Sequence, residues 1–266
     1  MLIEQIQTHQ FVSEILQTNP RRIEVYLPPN YFTEPERRFP VLYMQDGQNL
    51  FNPQTSFGGV AWQVDETAQK LIFENKIEPL IIVGIYNTGD ARFEEYTPTK
   101  STRGRGGQAL LYGQMLTQEL KPFIDAQYRT LPQQEFTGIG GSSLGALVSL
   151  FLGFKQPDVF GRLAIMSPSI WWDKNVMTRE IIEYEGKPPL RIWLDIGKLE
   201  GSRIKSQVRL LRGALLEKGW RADVDLGYLE IPDGRHDENS WSLRFDKVLR
   251  YLFPPASEKQ NNPYRL

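Results

Sequence analysis

The chain contains no cysteine among its 266 residues. This absence excludes disulfide bonds, thiolate-bound metal sites and a cysteine nucleophile, and it fits the cytosol. The first ten residues lack the basic and apolar regions of a signal peptide. No apolar run approaches the roughly 18 residues that a membrane-spanning helix needs. We therefore expect a cytoplasmic protein with no membrane partner.

An excess of charge of either sign is also missing. The sequence has 31 lysines and arginines against 32 aspartates and glutamates, a formal net charge of -1. Such a balance provides no general attraction to nucleic acids, so we expect no nucleic-acid partner. The length and the hydrophobic fraction of 40% suit one large domain. We expect that domain over residues 1–253, followed by a polar surface tail over residues 254–266.

Short apolar segments alternate with longer segments of helical period from Pro40 onward, which predicts a parallel sheet with crossover helices. Before that point, partial alternation predicts one or two strands over residues 3–16 and another over 22–27. Buried strands are expected at 41–45, 80–86, 135–140, 162–167, 191–196 and 224–231. Helices are expected at about 60–75, 107–126, 144–155, 202–218 and 239–252. A long irregular loop is expected at 87–106, and loops of that length are commonly functional.

Histidine is nearly as rare as cysteine, since the chain has only His9 and His236. The segment Gly141-Ser142-Ser143-Leu144-Gly145 has the G-x-S-x-G pattern of a serine nucleophile on a sharp strand-to-helix turn. A predicted strand precedes it and an apolar helix follows, which is the required context. The alternative is a glycine-rich turn with an incidental serine. A serine hydroxyl needs a base beside it, and that base is usually imidazole. The two histidines are therefore the candidate bases for Ser143.

The base is expected to follow the nucleophile in the chain, after the last strong strand. His236 lies there, whereas His9 lies in the alternating N-terminal segment and is typical of an ordinary strand histidine. A carboxylate must then hold the imidazole in the right tautomer. Glu200, which follows a predicted buried strand, is the favoured candidate. Asp195 within that strand is its rival, and Asp237 is too close to the histidine in sequence for the required geometry.

Acyl transfer from an ester also needs N–H donors aimed at the developing oxyanion. One expected donor is the backbone N–H of Leu144, directly after the serine and at the start of a helix. The second is expected from the segment Asp46-Gly47-Gln48-Asn49-Leu50-Phe51, where the backbone N–H of Gln48 is our choice. This chemistry needs neither a metal ion nor an organic cofactor, so none is expected.

Several ordered motifs extend over roughly residues 21–253. They are Val25-Tyr26-Leu27-Pro28-Pro29-Asn30-Tyr31, Pro40-Val41-Leu42-Tyr43, Asp46-Gly47-Gln48-Asn49-Leu50-Phe51, the serine motif, Ser167-Pro168-Ser169 with Trp171-Trp172, Asp195-Ile196-Gly197 with Glu200, and Gly234 with His236. Together they resemble the family of α/β-hydrolases called putative esterases. That family includes enterochelin esterases, S-formylglutathione hydrolases, feruloyl esterase domains and bacterial mycolyltransferases, and the enterochelin-esterase-like branch is the nearest match.

The resemblance implies an α/β-hydrolase fold, with a mostly parallel central sheet, antiparallel N-terminal strands and helices on both faces. It also implies a serine–acid–histidine mechanism at Ser143, Glu200 and His236. The sequence departs from the family in one motif, because many relatives have His-Gly where this chain has Asp46-Gly47. In addition, some relatives have aspartate or no effective acid at the position of Glu200.

Trp171 and Trp172 follow a strand whose carboxyl end faces the expected site, where open α/β sheets bind ligands. They either line an acyl or sugar pocket or pack in the core, and both alternatives stay open. Arg92, Glu95 and Tyr96 in the long loop are candidate substrate contacts. A buried arginine–glutamate pair that shapes the loop is the equal alternative.

The leading hypothesis is therefore a serine carboxylic-ester hydrolase that acts on a small-molecule ester through an acyl-enzyme. An acyltransferase, with a sugar or another alcohol in place of water, is the first alternative. A non-catalytic binding module on a hydrolase scaffold is the second, because a fold alone does not define an activity.

Overall fold

The computed structural model describes residues 5–17, 19–102 and 104–255. The start of the first predicted strand and the predicted tail beyond residue 255 lie outside these residues. The described strands are β1 (Ile6–Phe11), β2 (Arg21–Tyr26), β3 (Val41–Gln45), β4 (Ile81–Ile85), β5 (Thr137–Ser142), β6 (Arg162–Met166), β7 (Arg191–Gly197) and β8 (Leu226–Ile231). They form one eight-stranded sheet in the order β1-β2-β4-β3-β5-β6-β7-β8.

Strands β3 to β8 are parallel to one another, whereas β1 and β2 pair antiparallel at one edge. This arrangement confirms the predicted mostly parallel sheet with antiparallel N-terminal strands. Every residue of β3 and β4 is buried, because helices cover both faces of the sheet. Successive side chains of β3 alternate between two cores, with Val41 and Tyr43 in one and Leu42 and Met44 in the other.

Ten α-helices surround the sheet in the described part of the chain. They are α1 (Asn30–Thr33), α2 (Val64–Phe73), α3 (Arg92–Glu95), α4 (Ala109–Gln114), α5 (Lys121–Gln127), α6 (Ser143–Lys155), α7 (Val176–Glu183), α8 (Ser202–Glu217), α9 (Glu238–Ser242) and α10 (Phe245–Leu252). Helices α4 to α8 pack on one face of the sheet, and α2 and α10 pack on the other. Among the residues described, none of these helices combines the length and apolar character needed to cross a bilayer.

The N-terminal strand is shorter than predicted. β1 ends at Phe11, and the described residues after it turn instead of continuing the alternating pattern. The carboxylate of Glu119 accepts hydrogen bonds from the Ser13 hydroxyl and from the backbone N–H groups of Glu14 and Ile15. Because these N–H groups bond to a side chain, they are not available to a neighbouring strand.

Two predicted helices are interrupted. The helix expected at 107–126 consists of α4, a π-helical segment (Met115–Leu120) and α5. Pro122, in the first turn of α5, has no N–H for the helical ladder, and the widened segment lies directly before that turn. The helix expected at 239–252 divides into α9 and α10 at Arg244, which has φ of -122° and ψ of 0° and is buried.

Three helices were missed in the sequence, the four-residue α1, the four-residue α3 within the predicted loop and the eight-residue α7. All three are too short to establish a clear helical period.

The carboxyl ends of the parallel strands lie along one edge of the sheet, because all of these strands point the same way. The segments that follow β3, β5, β6, β7 and β8 carry Asp46, Ser143, Ser167, Glu200 and His236, respectively. In open α/β sheets this edge is where ligands bind. The topology therefore brings the predicted serine, acid and histidine to a single edge.

The core beneath α10 can be tested with Phe245, which is fully buried and packs edge-on to Trp62. We expect Phe245→Ala to lower the free energy of unfolding by about 3–5 kcal/mol, because it leaves a cavity. Leu243→Ala is the matched control, since Leu243 is 72% exposed, and its effect should stay within about 0.5 kcal/mol. Urea unfolding followed by circular dichroism measures both, and equal losses would contradict this packing.

Candidate active site

Ser143 is the first residue of α6 and directly follows β5. Its φ of 55° lies in the left-handed region, which costs a non-glycine residue free energy and is associated with functional turns. The hydroxyl Oγ lies 3.0 Å from His236 Nε2 and 3.1 Å from Ser169 Oγ. The positive end of the α6 dipole is next to this hydroxyl, so negative charge that develops there is favoured.

Gly145 allows α6 to approach β3 closely. A Cβ at this position would lie 2.9 Å from the Cβ of Gln45 and 3.3 Å from the carboxylate of Asp46. A larger residue would therefore push the first turn of α6, and Ser143 with it, away from the sheet. This glycine of the G-x-S-x-G motif thus permits close packing between α6 and β3.

His236 lies in the segment between β8 and α9, and 44% of its side chain is exposed. Its ring packs edge-on to Trp241, with 4.9 Å between ring centroids. Its Nδ1 atom lies 2.7 Å from Glu200 Oε2, while Nε2 faces Ser143. Asp237 does not hold the imidazole; it caps α9 by accepting a hydrogen bond from the Ser240 N–H.

Glu200 has a nearly inaccessible side chain, 1% exposed. Besides its contact with His236, it accepts hydrogen bonds from the Ser167 hydroxyl at 2.6 Å and the Gly197 N–H at 2.8 Å. Burial acts to raise the pKa of Glu200, but the hydrogen bonds from His236, Ser167 and Gly197 outweigh it and lower that pKa. The carboxylate is therefore held in its charged form beside the imidazole.

Asp195, the rival acid, points to different partners. It is fully buried, accepts a hydrogen bond from Trp193 Nε1 at 2.8 Å and pairs with Arg244 Nη2 at 3.0 Å. Burial raises its pKa despite the nearby Arg244 guanidinium. The same guanidinium lies 3.7 Å from Glu200 Oε1 and donates to Ser167 Oγ at 2.6 Å. Asp195 thus supports the surroundings of Glu200, and no contact with the imidazole is seen among the described residues.

Gly197 and Gly234 bring the acid segment and the histidine segment together. A Cβ at Gly197 would overlap the carbonyl of Gly234 and lie 2.7 Å from Glu200 Oε1. The distance between Glu200 and His236 therefore depends on the absence of a side chain at this contact.

The segment after β3 lines the cavity in front of Ser143. Asp46 has a left-handed φ of 56°, and a short 3-10 turn (Gly47–Asn49) follows. The carbonyl of Gln48 accepts hydrogen bonds from Thr55 Oγ1 at 2.7 Å and Ser56 Oγ at 3.2 Å, which fix this turn.

Leu144 lies in the first turn of α6, where main-chain N–H groups have no partner within the helix. The use of the Gln48 and Leu144 N–H groups as oxyanion donors stays a prediction.

Arg92 binds another residue of the protein rather than standing free in the cavity. Its Nε and Nη2 atoms donate to the two carboxylate oxygens of Asp46, each at 2.7 Å. Asn87 Nδ2 also donates to Asp46 at 2.7 Å. The segments after β3 and β4 are therefore tied together at Asp46, whose role the sequence did not reveal because Asp-Gly is typical of simple turns.

The other predicted loop contacts are buried. Glu95 forms an ion pair with Arg21 at 2.6 Å, with both side chains almost fully buried, and Tyr96 is also inaccessible. Glu95 thus forms a buried arginine–glutamate pair, but its partner is Arg21 of β2 and not the loop residue Arg92. Glu95 and Tyr96 shape the loop from inside.

Trp171 and Trp172 differ in exposure. Trp172 is buried, packs edge-on to Phe93 and donates from Nε1 to the carbonyl of Thr99 at 3.2 Å. Trp171 is 44% exposed. Neither tryptophan belongs to the described lining of the cavity at Ser143, so their contact with a substrate stays a prediction.

His9 lies in β1 with its ring nitrogen 2.6 Å from the Tyr128 hydroxyl, away from this cavity.

The cavity in front of the serine has a volume of about 580 Å³. Its lining comprises Asp46, Gln48, Asn49, Phe57, Gly58, Val60, Asn87, Arg92, Ser142, Ser143, His236, Asp237, Glu238, Asn239 and Trp241. Within the described residues, histidines, aspartates and glutamates do not gather in threes around a point where a metal ion would fit. The cavity lining places the hydroxyl of Ser143 beside the imidazole of His236.

Comparisons with known proteins agree with this description. Residues 13–252 match the family described as "Putative esterase". The Bacillus subtilis protein YbbA is 30% identical over 248 residues, which cover 88% of this chain and 92% of YbbA. Ferri-bacillibactin esterase BesA from the same organism is 26% identical over 230 residues, 76% of each chain.

Solved structures share the fold. The BES protein from Bacillus cereus has a TM-score of 0.75 at 22% identity, covering 95% of this chain and 96% of its own. The enterobactin esterase FES from Shigella flexneri, solved in the presence of enterobactin, has a TM-score of 0.77 at 21% identity. That match covers 94% of this chain but 59% of FES.

The fold is that of the α/β-hydrolase class. More narrowly, the chain belongs to the "Putative esterase" family and is an ester hydrolase.

The tie between Arg92 and Asp46 predicts how Arg92 affects the reaction. Arg92 holds Asp46, and the predicted oxyanion donor Gln48 lies two residues further along the same segment. Because loss of one oxyanion donor costs about 10²–10³ in rate, we expect Arg92→Gln to lower kcat for a small uncharged ester by about tenfold or more, with little change in KM. Steady-state kinetics with p-nitrophenyl butyrate measure this effect. Arg105→Gln is the control, because Arg105 is largely exposed. Unchanged kcat would show that Arg92 does not position this segment.

Proposed function

We propose that this protein is a serine carboxylic-ester hydrolase in which Ser143 is the nucleophile, His236 the base and Glu200 the orienting acid. The observation that carries the proposal is a continuous chain of contacts, 3.0 Å from Ser143 Oγ to His236 Nε2 and 2.7 Å from His236 Nδ1 to Glu200 Oε2. Such a chain lets an imidazole accept the hydroxyl proton while the carboxylate stabilises the imidazolium.

In the first half of the reaction, Ser143 Oγ attacks the ester carbonyl carbon and its proton passes to His236 Nε2. The carbonyl oxygen becomes an oxyanion, which the N–H groups of Leu144 and Gln48 stabilise together with the α6 dipole. The tetrahedral intermediate collapses, and the leaving alcohol takes the proton from His236. The products of this half are a free alcohol and an acyl-enzyme on Ser143.

In the second half, a water molecule replaces the alcohol. His236 accepts a proton from the water as its oxygen attacks the acyl carbon, and then returns a proton to Ser143 Oγ as the carboxylic acid leaves. The open cavity and the exposed face of His236 support water as the acceptor. This is why hydrolysis is proposed ahead of transfer to a sugar or other alcohol.

The substrate that we propose is a small ester with room for an apolar group beside the carbonyl. Phe57 and Val60 line the cavity and remain 80% and 38% exposed, so a bound substrate gains by covering them. The relative named ferri-bacillibactin esterase BesA supports an ester as the substrate. A volume of about 580 Å³ is of the size that holds a small-molecule ligand.

Replacement of the nucleophile tests the proposal most directly. We expect Ser143→Ala to lower kcat for p-nitrophenyl butyrate by at least about 10⁴-fold, because the acyl-enzyme can no longer form. Ser169→Ala is the matched control, since it removes a hydroxyl 3.1 Å from Ser143 Oγ and leaves the nucleophile in place. A fluorophosphonate probe should label the unaltered protein and Ser169→Ala but not Ser143→Ala. Labelling of Ser143→Ala at the same stoichiometry would refute the assignment.

A second pair of variants separates the two candidate acids. We expect Glu200→Gln to lower kcat by about 10³–10⁴-fold, as loss of the orienting carboxylate does in a serine–histidine–acid site. Asp195→Asn should act mainly on stability, because it leaves the buried Arg244 with a neutral partner. Steady-state kinetics and thermal unfolding of both variants measure these effects. A larger loss of kcat for Asp195→Asn than for Glu200→Gln would assign the acid to Asp195 instead.

A further inference from the structure

The cavity in front of Ser143 carries more negative than positive charge. Its charged lining consists of three carboxylates, Asp46, Asp237 and Glu238, and one guanidinium, Arg92, hence a net charge of -2 with neutral histidine. The whole chain has a formal net charge of only -1. The lining thus has an excess of negative charge when Glu238 is ionised, and low-dielectric walls strengthen the effect of that charge on a bound ligand.

Two of these carboxylates already have partners within the protein. Asp46 forms the two-point ion pair with Arg92, which uses the only guanidinium of the described lining. Asp237 caps α9 at the Ser240 N–H, 2.8 Å away. Their charges are thus compensated by a guanidinium and by a helix N-terminus, respectively.

Glu238 has neutral partners only. Its Oε1 accepts a hydrogen bond from Asn49 Nδ2 at 3.1 Å, and its Oε2 accepts one from Trp62 Nε1. No lysine or arginine among the described residues forms an ion pair with it. Each carboxylate oxygen has a further lone pair, and Glu238 lines the cavity. The carboxylate oxygens therefore have lone pairs left for a cation.

The charge of Glu238 changes near neutral pH. Partial burial, and secondarily the Asp46 carboxylate on the segment after β3, raise the pKa of Glu238 to about 7. The Trp62 N–H, Arg92 on α3 and His236 act in the opposite direction without overcoming burial. Glu238 is thus neutral below this pH and anionic above it.

We propose that Glu238 makes the cavity selective for esters that carry a cationic group, such as a substituted ammonium, over neutral and anionic esters of the same shape. The inference rests on the proposed function, because it concerns the substrate of that same cavity. An unpaired, partly buried carboxylate gains a counter-ion when a cationic substrate binds, whereas an anionic substrate is repelled.

The experiment compares two pairs of isosteric esters that differ only in charge. Choline butyrate against 3,3-dimethylbutyl butyrate places the charge on the alcohol side. The p-nitrophenyl esters of 4-(trimethylammonio)butanoic acid and 5,5-dimethylhexanoic acid place it on the acyl side. The measured quantity is the ratio of kcat/KM within each pair between pH 6 and pH 8.5. Because both esters of a pair use the same catalytic groups, the titration of those groups cancels in the ratio.

In at least one pair, the unaltered protein should prefer the cationic ester by at least about fivefold at pH 8.5, the scale of a partly screened charge pair. The preference should fall toward unity at pH 6, as Glu238 becomes neutral. Glu238→Gln should show a ratio that does not vary with pH. Glu183→Gln, which removes an exposed glutamate on α7, is the matched control and should behave like the unaltered protein.

Ratios that stay flat near unity in both pairs for the unaltered protein would overturn the inference, whether or not the Glu238 variant folds. Preference for the neutral ester would overturn it as well. Ser143→Ala is run in parallel to separate the two proposals. If that variant is inactive but the ratios are flat, only the role of Glu238 fails; if it remains active, the proposed function itself fails.

Discussion

The arrangement of this site depends on the hydrogen bonds that the buried carboxylate of Glu200 accepts. Removing a carboxylate from water costs several kcal/mol unless its oxygens find donors. Here the Ser167 hydroxyl, the Gly197 N–H and His236 supply them. Because almost half of the His236 side chain is exposed, its orientation depends on this carboxylate and on the Trp241 ring. A displaced carboxylate would leave the imidazole free to turn away from Ser143.

Ser167 and Arg244 extend this network into the core. Ser167 Oγ donates to Glu200 and accepts from Trp241 Nε1 and from Arg244 Nη2, so all of its hydrogen-bonding capacity is used. Arg244 also pairs with Asp195. One buried cation therefore serves two buried carboxylates, which compensates part of the cost of burying them. The break between α9 and α10 lies at Arg244, the residue that enters this network.

Backbone strain is concentrated at the same edge of the sheet. Asp46, Ser143 and Ser167 each directly follow a strand, and they have φ values of 56°, 55° and 43°. A non-glycine residue keeps such a conformation only where its surroundings enforce it. Here Arg92 holds Asp46, and the donors and acceptors of the network hold Ser167. Each strained turn directs a polar side chain toward the edge where the parallel strands end.

The strands were the most predictable part of the fold. Strands buried on both faces are continuous apolar runs, so β3 was predicted with its observed bounds, and β4 and β6 to within one residue at each end. Prediction failed where a distant side chain determines the backbone, as with Glu119 at the end of β1 and Arg244 between α9 and α10. Helix α7 was missed because few of its eight residues carry a periodic signal.

The sequence by itself determined the class of elements, the G-x-S-x-G turn and the short set of candidate residues, because these depend on local pattern and on the scarcity of histidine. Tertiary structure decided which partners meet: it places Glu200, which the sequence favoured over Asp195, at His236, and it places Asp46 at Arg92. Ser143 and His236 are 93 residues apart, and Glu200 and His236 are 36 apart. Contacts over such separations are set by the order and register of the strands and by side-chain packing, which no local pattern encodes.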